Sequence, residues 1–469
     1  MAVDYNLVVV GATPAAETAA IAAAQAYARV AWVPGSGVRQ DPLLLLREGT
    51  QALAHRAGQR GPHPSDWRAW ASLLETTADS HPSPSAIQAH GVDYLEGPIA
   101  FQMEGTLGLT VGSRQLRSRA YLLAIDPDPT IPKLPGLDHP RVWTLPQLWI
   151  ELQRTDLVWP QHMTVYGSGP QAIELSQSLR RLGVAVLILT DDKTLLPHED
   201  PELAFLLRAY LEGDGIEIAT GPLHQVDTAQ SEQLVLTVGD RQYVTGALAM
   251  ATETATVFPT VLKPLNLRQT PSRLWVNAFL QTSHPQIYAC GTLLGGYRLT
   301  HLADYEARLA VQNALFAGPF SPGCSRVAVQ YRPVPYAILS HPPLARVGLT
   351  ESQAQLYNPE VQTVRQTYKD CDRAFFTQAP AGLCKVLVQP DGRILGAHLL
   401  GTAAEELIHV FALAIQQAIL LPDLADLNPV SPAFAAVIQQ TAQTWRLQQL
   451  QRARDRNEGW FYRQRQRTR

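Results

Sequence analysis

YNLVVVGATPAAETAAIAAAQAYARVAWVP, residues 5–34, is the segment from which the rest of the chain can be laid out. Leu7 to Val10 is an apolar run too short for a helix. It stops at Gly11, which marks it as a buried parallel strand. Ala15 to Ala28 is dense in alanine with no interior glycine or proline, so it should be a helix able to lie close on a sheet. Arg29 to Val33 is then the second strand. The turn between them, Gly11-Ala12-Thr13-Pro14-Ala15-Ala16, stands where a dinucleotide-binding fold carries G-x-G-x-x-G/A. Small residues are needed there because the backbone N–H groups of a helix N-terminus must come close to a pyrophosphate. Gly11, Thr13, Pro14 and Ala16 are the cofactor-binding candidates. Thr13 replaces a usual glycine and tightens the approach, and Pro34 stands where an acidic side chain would meet an adenosine ribose. A βαβ unit with no ligand fits the same pattern.

The pattern recurs at residues 163–191, MTVYGSGPQAIELSQSLRRLGVAVLILTD. Gly167, Gly169 and Ala172 form a cleaner fingerprint, and the strand Val184 to Leu189 leads to Asp191. That carboxylate is placed to hold a ribose diol, and no arginine stands beside it for a 2′-phosphate. A sheet with no ligand would not need the glycine turn twice.

The chain has 469 residues, 46% of them hydrophobic and 17% charged, with a net charge of −3. That suits a soluble protein of two to four domains. No apolar run reaches the length of a membrane span, and the first strand begins too early for a leader peptide, so a cytoplasmic address is expected. Cys290, Cys324, Cys371 and Cys384 lie far apart, and the 13 histidines show no ligand spacing. Free buried thiols and no metal site follow.

Between the two units, helices are expected at Pro42 to Ala57 and Ser65 to Ala78, with a small antiparallel patch over Gly91 to Gly112. A buried strand, Ala120 to Ile125, precedes a proline-rich crossing. Trp67 and Trp70 should share a packed helix face. A helix is expected from Leu302 to Phe316. Beyond Pro322 come strands at Val334–Leu339, Ala345–Val347, Val361–Tyr368, Lys385–Gln389 and Ile394–Leu400. Helices at Ala403–Ile419 and Pro432–Arg454 complete an α+β module.

This arrangement resembles the pyridine nucleotide-disulfide oxidoreductases, the family of dihydrolipoamide dehydrogenase, glutathione reductase and mercuric reductase, over about residues 4 to 445. YNLVVVGATPAAETAAIAAAQ looks like the family's FAD-binding start, and AIDPDPTIPKLPGL, with Ala124, sits where it has an A-T-G segment. VYGSGPQAIELSQSLRRLG looks like its NAD(P)H fingerprint, with Glu174 at the glutamate that approaches the flavin. HPQIYACGTLLGG, with Gly291 and Thr292, resembles the second FAD motif. VPYAILSHPPLARVGLTESQAQ and GRILGAHLLGTAAEELIHVFALAI resemble the dimerisation domain.

The resemblance implies an α/β fold with two Rossmann-like nucleotide-binding domains, one for FAD and one for NAD(P), and a C-terminal α+β dimerisation domain that makes a homodimer. The implied boundaries are 1–152 and 265–322 for FAD, 153–264 for NAD(P), 323–445 for dimerisation and 446–469 for a tail.

The departures bear on chemistry. The family's redox cysteines should fall within Ser36 to Leu44, SGVRQDPLL, yet no cysteine precedes Cys290. The lysine partner of Glu174 is missing. The H-P-T-x-x-E motif is replaced by Ser431-Pro432-Ala433-Phe434-Ala435-Ala436, with neither imidazole nor carboxylate, so thiol exchange lacks its acid-base agent. The G-D aspartate becomes Thr292, and where the second domain has a G-R this chain has the run Ala251-Thr252-Glu253-Thr254, whose glutamate would repel a pyrophosphate. His301, after Gly295-Gly296, lies at the N-terminal side of the helix that the resemblance places under the flavin ring, though a histidine there is more often only a cap or core residue. No side chain is named as catalytic.

Phe434, Val437, Ile438, Thr441 and Trp445 recur at helical spacing and should face the core or a partner copy. Residues 446–469 carry eight arginines with Trp460, Phe461 and Tyr462. They read either as a frayed, solvated terminus or as a basic-aromatic anchor for an anionic membrane surface or acidic partner. Nucleic acid is not expected, since the chain is slightly acidic and shows no recognition fold. Two functional readings stand. One is a FAD-dependent oxidoreductase passing electrons from a nicotinamide nucleotide to a non-disulfide acceptor. The other is a catalytically silent dimeric scaffold or nucleotide sensor.

Overall fold

A computed structural model describes residues 3–35, 42–57, 64–79, 84–103, 107–126, 128–129, 134–154, 159–228, 233–252, 256–270, 273–296, 298–316 and 325–467. Of the residues discussed above, 36–41, Glu253, Thr254 and Cys324 lie outside these, as do the side chains of Trp460, Phe461 and Tyr462. Two compact units are present: Met1–Met163 with Arg181–Val184 and His224–Val329, and Thr164–Arg180 with Ala185–Leu223 and Gln330–Arg469.

In the first unit a parallel sheet runs in the order Ile287–Ala289, Ser118–Leu123, Tyr5–Val10, Val30–Val33, Val92–Tyr94. Leu7, Val8, Val9 and Val10 have no exposed surface, so each contributes about 1.5–3 kcal/mol relative to exposure. On one face lie the helices Pro14–Gln25 and Thr300–Leu315, where Ala16, Ala19, Ala20 and Ala23 share a core with Ala307 and Ala310. Methyl-sized side chains let helices and sheet approach closely. The other face is closed by the antiparallel strands Ile99–Gln102, Gly108–Val111 and Arg114–Leu116.

Several expectations are corrected in detail. Gly91 to Gly112 is not one antiparallel patch, because Val92–Tyr94 joins the parallel sheet and only the later strands form the meander. The first helix ends at Gln25, where Tyr27 takes a left-handed φ of 60°. Helices at Pro42–Ala57 and Pro64–Asp79 hold to within a residue. Trp67 is fully buried against Trp149, edge to face at 5.7 Å, while Trp70 is half-buried. Gly136 has φ +82°, and a Cβ there would stand 1.8 Å from the Val226 carbonyl oxygen. The proline-rich crossing is fixed to this unit at that point.

In the second unit the strands His162–Tyr166, Ala185–Thr190 and Glu217–Thr220 lie side by side, with helices Pro170–Arg181 and Pro201–Gly213. Residues 330–469 form an antiparallel sheet in the order Tyr336–Ile338, Leu344–Gly348, Ile394–Leu400, Leu383–Val388, Gln362–Thr367. Helix Ala404–Gln416 and the start of helix Ala436–Arg467 cover it, burying Val437, Ile438, Thr441 and Trp445 as their spacing requires. Of the two readings of the tail, the frayed terminus is not what forms, since residues 446–467 continue one 32-residue helix.

One row across this sheet is charged. Arg346, His398, Lys385 and Arg365 are direct cross-strand neighbours. The segment Glu199-Asp200-Pro201-Glu202 answers them. Arg346 pairs with Glu199 at 2.7 Å, Lys385 with Asp200 at 2.7 Å, and Arg365 with Glu202 at 2.9 Å. Glu351 adds a contact to Lys385 at 2.7 Å. Asp200 also caps the helix Pro201–Gly213, so the cap and the ion pair hold the same carboxylate.

His398 sits in this row with no exposed surface. Burial, reinforced by the cations of Arg346 and Lys385 against Asp200 and the Leu349 carbonyl, holds its pKa down to about 4, from 6.5. The folded form therefore binds its proton less readily than the unfolded chain. Its contribution is complete above pH 6.5 and lost as pH falls towards 4. The melting temperature should drop over that interval. His398→Gln, which keeps a donor for the Leu349 carbonyl, should make the drop shallower in thermal melts at pH 7.5 and 5, and an unaltered slope would sink the assignment.

Candidate functional site

Each βαβ unit presents the same cradle at the C-terminal end of its first strand. At the first, Gly11 has φ +134° and donates its N–H to the Val33 carbonyl. A Cβ on Gly11 would lie 1.9 Å from the Ala124 carbonyl oxygen, so glycine is demanded by the neighbouring strand. Thr13 caps the helix: its hydroxyl accepts from Ala16 N–H at 3.2 Å and donates to the Ala124 carbonyl at 2.9 Å. Gly11, Thr13, Ala16 and Ala124 are thus brought together as expected, with Pro14 at the first helical position. The threonine that replaces glycine is turned onto Ala124.

At the second cradle Gly167 has φ +153° and donates to the Leu189 carbonyl, and Ala172 N–H reaches the Gly169 carbonyl at 3.1 Å. In both turns the first-turn donors remain open. Among the described residues no acceptor meets the N–H groups of Ala12, Thr13 and Ala15, or of Ser168, Gly169 and Gln171. Three unclaimed donors at a helix N-terminus, on a turn of small residues, are the donor set that a pyrophosphate takes. Both turns fit a dinucleotide.

The groups around the cradles differ from a simple reading of the sequence. Asp191 has both carboxylate oxygens engaged, one by the Tyr166 hydroxyl at 2.5 Å and the other by Leu223 N–H at 3.3 Å. Burial and that carboxylate push the Tyr166 hydroxyl far above its ordinary pKa. Asp192 accepts from the Ser168 hydroxyl. Glu174 is buried, and its carboxylate accepts from Leu339 N–H at 2.8 Å. A backbone donor serves it in a segment without a lysine.

Near the first cradle, Gly291 has φ +74° and donates its N–H to the buried Glu306 at 2.7 Å. The Thr292 hydroxyl donates to Asp126, which follows the strand beneath Ala124. Asp126 was not singled out from sequence. Its signal is available there, since it lies just past the carboxyl end of a buried parallel strand, where ligand-binding groups collect. His301 is exposed at the second residue of its helix.

Among the described residues no thiol is positioned for exchange. Helix Pro42–Ala57 turns Leu43 and Leu46 into the core. Cys290, Cys371 and Cys384 are at most 1% exposed. Burial raises the thiol of Cys290 well above its usual value and that of Cys384 to about 12. At the far end of the chain Cys371 Sγ donates to the Ala433 carbonyl at 3.4 Å. Among the described residues no cluster of metal-ligating side chains occurs, and no helix is long and apolar enough to cross a membrane.

The family profile described as pyridine nucleotide-disulphide oxidoreductase matches residues 5–307, and that family's dimerisation-domain profile matches residues 334–442. A mercuric reductase from Staphylococcus aureus is 27% identical over 448 residues, covering 90% of this chain and 79% of its own. Dihydrolipoyl dehydrogenase 3 from Pseudomonas aeruginosa is 24% identical, covering 94% and 97%. The crystal structure of LpdA from Mycobacterium tuberculosis superposes with a TM-score of 0.81 at 21% identity, covering 93% of this chain and 99% of that one. This last likeness is one of fold.

Proposed function

The chain belongs to the pyridine nucleotide-disulphide oxidoreductase family, and from that premise we propose a FAD-dependent oxidoreductase that passes electrons from a nicotinamide nucleotide to an acceptor other than a disulfide. Members of this family contain FAD and use NAD(P)H. When bound, the flavin supplies the electron-transfer chemistry, and the protein supplies position and electrostatics. Ala12, Thr13 and Ala15 would meet the FAD pyrophosphate; Ser168, Gly169 and Gln171 would meet that of NAD(P). On this reading residues 1–152 and 265–322 serve FAD, 153–264 serve NAD(P), and 323–445 pair two copies. The tail, residues 446–469 with eight arginines, is the segment offered to an anionic membrane surface or acidic partner.

The observation that carries the acceptor class is the missing thiol. No cysteine precedes Cys290, and the described cysteines are sealed in the core. The base-bearing H-P-T-x-x-E motif is also replaced, so no described group can open a substrate disulfide. A second reading, a nucleotide-binding dimer without turnover, is favoured by one feature. Asp191 is already satisfied by Tyr166 and Leu223 and has less to offer a ribose.

The absorption spectrum of the purified protein, before and after anaerobic NADH, tests both. Flavin bands that bleach, with quinone reduction and no lipoamide or glutathione disulfide reduction, are the expected outcome. Bands that persist would leave the silent sensor, and a protein that takes up no FAD would sink the oxidoreductase.

A further inference from the structure

We infer that Asp126 is a specificity-determining carboxylate that accepts a hydrogen bond from the polyol chain on the flavin side of the bound dinucleotide; this rests on the FAD reading above. Three parallel strands end side by side, Tyr5–Val10, Ser118–Leu123 and Ile287–Ala289. Their carboxyl ends carry the first cradle, Asp126 and Thr292 respectively. A ligand in the crevice of an open parallel sheet lies outside those ends.

The sheet order fixes which half of the ligand Asp126 would meet. The ribose of the nucleoside half lies towards the second strand of the βαβ unit, Val30–Val33, on one side of Tyr5–Val10. Ser118–Leu123 lies on the other side, so what extends past the pyrophosphate in that direction is the flavin half with its polyol.

Asp126 is built for a hydroxyl donor. It is exposed, and one carboxylate oxygen accepts from Thr292. That bond pins the side chain and leaves the other oxygen without a partner among the described residues. Ala124, two residues earlier, is tied to the cradle through the Thr13 hydroxyl and the close approach of Gly11. The carboxylate is therefore held relative to the open N–H groups by backbone.

The test measures FAD binding to the apoprotein by quenching of flavin fluorescence, and ADP binding by calorimetry, since ADP has the pyrophosphate and ribose but no polyol. Asp126→Ala should weaken FAD about tenfold or more, in line with the loss of a hydrogen bond to a charged group, while ADP affinity stays within about twofold by the same reasoning. Asp126→Asn, which keeps an acceptor without the charge, should lie between. FAD affinity unchanged in Asp126→Ala overturns this inference alone, and equal losses for FAD and ADP overturn it as well, by placing the damage in the cradle. Wild-type protein that binds ADP but no FAD overturns it together with the FAD reading.

Discussion

Lys385→Met should unfold at much lower denaturant than the wild type, with a loss of about 3–5 kcal/mol, the range for removing one partner of a buried ion pair. The Lys385 side chain is 1% exposed and that of Asp200 is 0% exposed. Methionine fills the volume but leaves Asp200 without its ammonium, and a buried unpaired carboxylate is costly. Glu202 and Glu351 would lose the same cation, and each is partly exposed and can turn to water. The double variant Lys385→Met, Asp200→Asn should therefore recover a substantial part of the loss. Urea titration followed by tryptophan fluorescence reads both. A single variant as stable as the wild type would show that the row of bases contributes register and little energy.

Gly11→Ala should lose flavin and stability together. Its Cβ would stand 1.9 Å from the Ala124 carbonyl oxygen at a φ of +134°. Backbone strain of this kind costs about 1–3 kcal/mol, and overpacking adds a similar amount. Gly112→Ala separates the two, since Gly112 has φ +57° and nothing within 4 Å of an added Cβ; only strain of about 1–2 kcal/mol is expected there. FAD retained through gel filtration and the urea midpoint are the readouts. Equal midpoints for the two variants would refute the contact with Ala124 as the reason for glycine.

The parallel sheet and both cradles were legible because their signals are local. A short strand-forming run ending at Gly11 or Gly167, followed by a helix without breakers, leaves few alternatives. The antiparallel sheet was legible in its strands but not in its charged row. Arg346, Lys385, Arg365 and His398 are far apart in sequence and meet only through register. Asp191 shows a different limit. Its place after the strand was read from sequence, but its engagement by Tyr166 depends on an aromatic residue 25 positions away. A charged chain end permits fraying as one reading of the tail, yet residues 446–467 continue a helix whose first turns are anchored by Val437, Ile438 and Trp445 in the core.

The three described cysteines are set apart from the redox state of their surroundings. Oxidants and glutathione act on thiolates that solvent can reach. Cys290 and Cys384 are held protonated by burial, and Cys371 is equally enclosed. They serve as small apolar filler. A shift in cellular thiol poise would pass these three side chains without registering, so neither peroxide nor a reductant has a handle on them while the fold is intact.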